Sequence, residues 1–253
     1  MIVSLGHERS RRARRRPRPP PRATVDAVKV WRLAVTLLCA CALGCEGEPG
    51  APAPRVLSLG DSYTIGEGVG AAERWSVQLV DRLRAEGLRL ADPELIARTG
   101  WTTDELARAL ERARPAGPYA LVTLCVGVND QFRGRPLDET RPRLAALVAR
   151  AVGLAGDRPG RVLVLSVPDW GVTPFAAGRD RAAIAREIDA LNAAAREEAE
   201  RAGARWLDVT ATSRRAAEEP ALLAPDGLHP SGEMYARWAE AALPLARAAL
   251  SGR

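Results

Sequence analysis

Ala120-Leu121-Val122-Thr123-Leu124-Cys125-Val126-Gly127-Val128-Asn129-Asp130 is the stretch on which the reading of this chain turns. Its first seven residues are apolar except for Thr123 and show no alternation. A short continuous apolar run of this kind suits a strand covered on both faces. Gly127 breaks the run, and two polar side chains, Asn129 and Asp130, follow at once. Similar runs occupy 55–59, 95–98, 161–167 and 205–209. Between and after them lie stretches of helical period at 74–86, 103–112, 137–154, 181–202 and 231–250. Five strand–helix units in succession predict a three-layer α/β/α domain on a parallel sheet. No internal repeat and no second domain is visible.

In open sheets of this type ligands bind beyond the carboxyl ends of the strands. The unusual segments of the chain fall at those places. They are Gly60-Asp61-Ser62, Thr99-Gly100-Trp101, Gly127-Val128-Asn129-Asp130, Pro168-Asp169-Trp170-Gly171 and Asp226-Gly227-Leu228-His229. Five separated loops therefore meet on one rim, which weighs more than any single motif.

Only two histidines occur, His7 in an Arg-rich leader and His229. Imidazole chemistry in the folded part must use His229. Asp226, three residues earlier, can accept from one ring nitrogen and leave the other facing Ser62. Ser62 is exposed to two readings, a nucleophile beside oxyanion-binding N–H groups or a serine capping a helix. The surrounding Gly60-Asp61-Ser62-Tyr63-Thr64 lacks the second glycine of Gly-x-Ser-x-Gly, which argues against the α/β-hydrolase elbow. The Asn129 amide and the backbone N–H groups of Gly100 and Ser62 can donate to an oxyanion; Asn129-Asp130 also reads as a turn or cap.

Composition removes other chemistries. The net charge of +6 comes from the leader, since residues 45–253 carry 27 arginines against 29 acidic residues. No nucleic-acid surface is implied for the folded part. The single lysine is Lys29, so a catalytic lysine, a Ser-x-x-Lys site and a P-loop are excluded beyond the leader. Gly66, Gly68 and Gly70 do not make a dinucleotide fingerprint. One histidine and one cysteine beyond the leader, Cys125, give no zinc site and no disulfide framework. Cys125 reads as a small buried hydrophobe.

Residues 1–45 read as a leader. An Arg/Pro-rich segment is followed by the short apolar run 33–44, which is too short to span a bilayer and suits a signal peptide. Ala42-Leu43-Gly44-Cys45 resembles a bacterial lipobox, with Cys45 as the lipidated residue and 46–54 as a flexible tether to a domain at 55–253. The expected location is the bacterial cell envelope, as a membrane-anchored lipoprotein facing the periplasm, or outside the cell after secretion.

Gly60-Asp61-Ser62, Gly100, Gly127-x-Asn129-Asp130 and Asp226-x-x-His229, in that order, resemble the four blocks of the SGNH (GDSL) hydrolases. The likeness spans residues 55 to about 245 and is nearest the bacterial lysophospholipase-like and arylesterase-like branch. It implies a flavodoxin-like sandwich with five parallel strands in order 2-1-3-4-5, and no metal or organic cofactor. It implies Ser62 as nucleophile, His229 as base and Asp226 as its orienter, with Ser62, Gly100 and Asn129 forming the oxyanion hole. The expected activity is cleavage of a small ester or lipid substrate through an acyl-enzyme. Acyl transfer to, or deacetylation of, envelope glycans is the alternative, and a non-catalytic envelope binding module a third reading. Trp101 and Trp170 are the substrate-binding candidates, with Phe132 and Phe175 nearby; aromatic residues there also serve as core caps. Arg133 and Arg135 read as solvated surface or as contacts for an anionic head group, and Asp169 as a structural cap.

Overall fold

The structure, a computed structural model, describes residues 52–252. The leader, Cys45 and the first part of the tether lie outside the described residues. Five strands form one parallel sheet: β1 (Val56–Gly60), β2 (Glu94–Ala97), β3 (Leu121–Cys125), β4 (Val162–Leu165) and β5 (Arg205–Leu207). Their order is β2-β1-β3-β4-β5. This is the 2-1-3-4-5 arrangement expected from the family resemblance.

The helices are α1 (Ser62–Ile65), α2 (Trp75–Ala85), α3 (Thr103–Ala113), α4 (Val128–Phe132), α5 (Leu137–Leu154), α6 (Arg181–Arg201), α7 (Thr210–Arg214) and α8 (Gly232–Leu250). Parallel strands need crossovers, and crossovers are right-handed. The step from β1 to β2 runs one way along the sheet, and every later step runs the other way. Helix α2 therefore lies on one face, where α8 packs against it, while α3, α5 and α6 share the opposite face. Central strands β1, β3 and β4 are buried along their whole length. The edge strands β2 and β5 are only partly covered. That difference explains why the central runs are continuously apolar and the edge runs are mixed.

Most predicted elements have observed bounds within two residues, and α5 matches at both ends. The strand expected over 161–167 stops at Leu165. Beyond it a side chain replaces the neighbouring strand: Asn192 Oδ1 accepts from Val167 N–H at 2.8 Å and Asn192 Nδ2 donates to Val167 C=O at 3.0 Å. The expected 205–209 strand likewise ends at Leu207, and Ser166 Oγ accepts from Val209 N–H at 2.8 Å. These polar side chains turn the backbone out of the sheet without leaving buried peptide groups unpaired.

Gly60 closes β1 where the chain turns toward Ser62. A Cβ there would lie 2.3 Å from the carbonyl oxygen of Cys125 and 2.1 Å from Thr64 Oγ1. The carbonyl belongs to β3 and cannot swing aside. We expect Gly60→Ala to cost about 2–3 kcal/mol through forced backbone movement, and to lower the thermal midpoint by roughly 5–10 °C. A calorimetric scan checks it, and an unchanged midpoint would show that the turn tolerates a side chain.

Candidate active site

The rim loops build a cleft of about 140 Å³ lined by Ser62, Gly100, Asn129, Trp170 and His229, together with Tyr63, Thr99, Val128, Phe132, Phe175 and Leu228. All five loops identified in the sequence contribute to the lining, the Asp226–His229 loop through Leu228 and His229.

Ser62 is the first residue of α1. The cap of that helix is Asp61, whose Oδ1 accepts from Tyr63 N–H at 3.0 Å. The capping reading of Ser62 is thereby corrected, since the buried Asp61 carboxyl takes that role and leaves the hydroxyl to the cleft. Ser62 is 5% exposed and His229 8%.

His229 sits in a loop pinned by a short antiparallel bridge between Leu223 and Pro230. Ala224 N–H donates to its carbonyl at 2.7 Å. The ring Nδ1 lies 2.6 Å from Asp226 Oδ2. Asp226 Oδ1 is separately occupied, accepting from Leu228 N–H at 2.9 Å and His229 N–H at 3.0 Å. Desolvation pushes the Asp226 carboxyl up, but bonds from the His229 ring and from the two backbone N–H groups outweigh it and hold the group below the usual carboxylate range. Asp226 thus stays ionised beside the imidazole. Tyr63 braces the other side of the ring, edge-on, with centroids 5.6 Å apart. Among the described residues no hydrogen bond joins His229 Nε2 to Ser62 Oγ; such contacts commonly tighten when substrate binds.

Asn129 ties three loops together. Its Nδ2 donates to Trp101 C=O at 3.0 Å and lies 3.5 Å from Asp61 Oδ2. Trp101 itself packs, half-buried, against the core and is not among the residues lining the cleft. Its contribution is the carbonyl that holds Asn129. Gly100 has φ +82°, the left-handed region open to glycine, which lets the loop after β2 turn back toward the cleft. Arg133 fixes that loop by donating to Gly100 C=O at 2.7 Å, and pairs with Glu105 at 3.3 Å. Arg135 is committed to Asp104 and Asp130. Arg133 thus lies on the surface, as the sequence suggested, but is held by its partners, and Arg135 is partly buried between its two carboxylates. Asp130 is a buried cap, accepting from Thr103 N–H at 2.8 Å and Thr103 Oγ1 at 2.9 Å. Asp169 caps a turn through Gly171 N–H and pairs with Arg214. Cys125 is fully buried, and burial pushes its thiol well up.

Tyr63 and Gln131 were not singled out from the sequence, and Arg133 was named only for the surface or an anionic head group, not as the residue that holds Gly100. Tyr63 carried a usable signal, as a large aromatic residue directly after the candidate nucleophile. Arg133 and Gln131 carried none, because their partners lie far away in the chain. Among the described residues no group of three or more His, Cys, Asp or Glu side chains is placed to hold a metal ion. No described helix is long and apolar enough to cross a membrane.

Burial pushes the Asp61 carboxyl up to about 7, partly offset by N–H bonds from Tyr63 and from Asp61 itself. A carboxyl raised in the folded state binds more protons folded than unfolded between about pH 4 and 7, so its contribution to stability falls as pH rises through that window. At 1.36 kcal/mol per unit the full effect is roughly 4 kcal/mol. Asp61→Asn retains an oxygen for Tyr63 N–H and has nothing to titrate. Thermal midpoints between pH 4 and 8 should fall for the wild type relative to this variant; parallel curves would contradict the burial argument.

A family model for the GDSL-like lipase/acylhydrolase family matches residues 58–237, the span that carries every residue of the cleft. The chain belongs to that family. It is a hydrolase acting on ester bonds. Solved structures of the same fold include TesA, at 21% identity over 78% of this chain and 99% of the other, TM-score 0.59. An acetylxylan esterase from Geobacillus stearothermophilus is 21% identical over 76% of this chain and 94% of its own, TM-score 0.59. The psychrotrophic esterase EstA from Pseudoalteromonas sp., in a structure inhibited by monoethylphosphonate, is 20% identical over 79% and 95%, TM-score 0.55. Comparison with curated proteins gave no match.

Proposed function

We propose that this GDSL-family hydrolase is a serine esterase that cleaves carboxylic esters or lysophospholipids through an acyl-enzyme on Ser62. The observation that carries the proposal is the 2.6 Å contact of Asp226 with His229 Nδ1 at the edge of a cleft that also holds Ser62. Asp226 accepts a hydrogen bond from Nδ1–H, which keeps the proton on Nδ1 and so leaves Nε2 with its lone pair. Nε2 takes the Ser62 proton as Oγ attacks the ester carbonyl carbon. The tetrahedral oxyanion is met by the backbone N–H groups of Ser62 and Gly100 and by the Asn129 amide. Of the two Asn129 Nδ2 contacts, the one to Asp61 is the longer, at 3.5 Å, and the N–H on that side is the donor less committed within the protein. His229 then gives its proton to the departing alcohol. Water, deprotonated by the same nitrogen, releases the acid and restores Ser62.

The leader supports attachment of the enzyme through Cys45 to a bacterial envelope membrane, or its secretion. A fluorophosphonate probe should label Ser62 in the folded protein, and 4-nitrophenyl esters from acetate to palmitate should give the chain-length preference. A folded wild type that is neither labelled nor active on any of these esters would overturn the proposal.

A further inference from the structure

The chain contains two phenylalanines, Phe132 and Phe175. Both are exposed, at 41% and 44%, and both stand at the cleft that holds Ser62 and His229. Folding ordinarily hides phenylalanine, so placing every one of them at the mouth of a cleft marks an apolar contact surface. Trp170, 4% exposed, forms the base of the group, with ring centroids 5.3 Å from Phe132 and 6.0 Å from Phe175. Its indole N–H donates to Gln131 Oε1 at 2.8 Å, and Gln131 in turn donates to Glu187 at 2.7 Å. The wall is therefore held in place before any ligand arrives.

Arg179 crosses this wall. Its guanidinium carbon lies 5.1 Å from the Phe132 ring centroid, 5.3 Å from Trp170 and 5.9 Å from Phe175. Several arginines sit on carboxylates, as Arg141 does on Glu197 and Glu198. Among the described residues the Arg179 guanidinium has no carboxylate partner and donates no hydrogen bond; its contacts are the three rings. A guanidinium laid on aromatic faces keeps its N–H edge available, and that edge fits a carboxylate or phosphate.

We infer that Phe132, Trp170, Phe175 and Arg179 form a substrate subsite for an apolar group joined to an anionic one, the chain lying on the rings and the anion on the Arg179 N–H edge. This deepens the esterase reading and rests on it, because the subsite opens onto the Ser62 cleft.

Calorimetric titration of the whole protein with 1-hexanol, hexanoate and hexyl phosphate tests the inference without turnover. The wild type should bind at least one of the anions about tenfold more tightly than the alcohol, and Arg179→Gln should erase that preference. The stronger of the two anions tells a carboxylate-bearing from a phosphate-bearing substrate. Phe175→Ala should weaken all three ligands together. Equal binding of the three ligands by the wild type, or an anion preference retained by Arg179→Gln, overturns the subsite. Labelling of Ser62 by a fluorophosphonate is read separately, so failure of the esterase reading and failure of the subsite give different results.

Discussion

Ser62→Ala and His229→Ala are each expected to lower kcat for a 4-nitrophenyl ester by about 10⁴–10⁶, and the double variant to be no slower than either one. In the proposed mechanism the two side chains act as one device. Without the serine oxygen there is nothing for the imidazole to deprotonate, and without the imidazole the hydroxyl remains a weak nucleophile. Additive losses would mean that they act in separate steps. Ser62→Ala should also leave the fold intact, because Asp61 and not Ser62 caps α1. A folded Ser62→Ala protein that keeps its wild-type rate would remove Ser62 from the chemistry.

Asp226→Asn is expected to lower kcat by about 10³–10⁴ while leaving the thermal midpoint nearly unchanged. The reason lies in the two halves of the carboxylate. Oδ1 accepts two backbone N–H groups, from Leu228 and His229. An asparagine must keep its carbonyl oxygen there, which puts its NH₂ where Oδ2 now faces Nδ1. Nδ1 then has to accept, the ring proton moves to Nε2, and the nitrogen needed to take the Ser62 proton is blocked. A rate within tenfold of wild type would show that Asp226 serves only to shape the turn.

Much of this arrangement was legible in the residues, and the exceptions share a cause. Buried strands and long helices write their burial into every residue, so 121–125 and 137–154 stand out. The bends at α1, α4 and α7 span at most five residues and carry no period to detect. The strand order came from the family resemblance, since five similar apolar runs do not say which of them are neighbours. Ser62, Gly100, Asn129 and His229 were named from the loops that hold them, and they line one cleft. Trp101 and Trp170 looked alike in sequence, each following a strand. The indole of Trp170 reaches Gln131 across the fold and Trp101 offers its main chain to Asn129, distinctions set by partners about 30 to 40 residues away. Arg133 was equally opaque, because its partner is the carbonyl of Gly100, and a backbone atom leaves no trace in a residue pattern.

The parallel sheet has one further consequence. The chain enters β1 at Val56, and the loops that line the cleft leave from the other ends of the strands. Helix α8 starts just after His229 and runs back along the sheet. It packs near Pro159–Arg161 ahead of β4, where Arg247 pairs with Glu86 in the residues leading to β2. Both ends of the domain thus emerge on the side away from the cleft. A fusion partner, an affinity tag or a solid support joined at either end of the domain should leave the mouth of the cleft open.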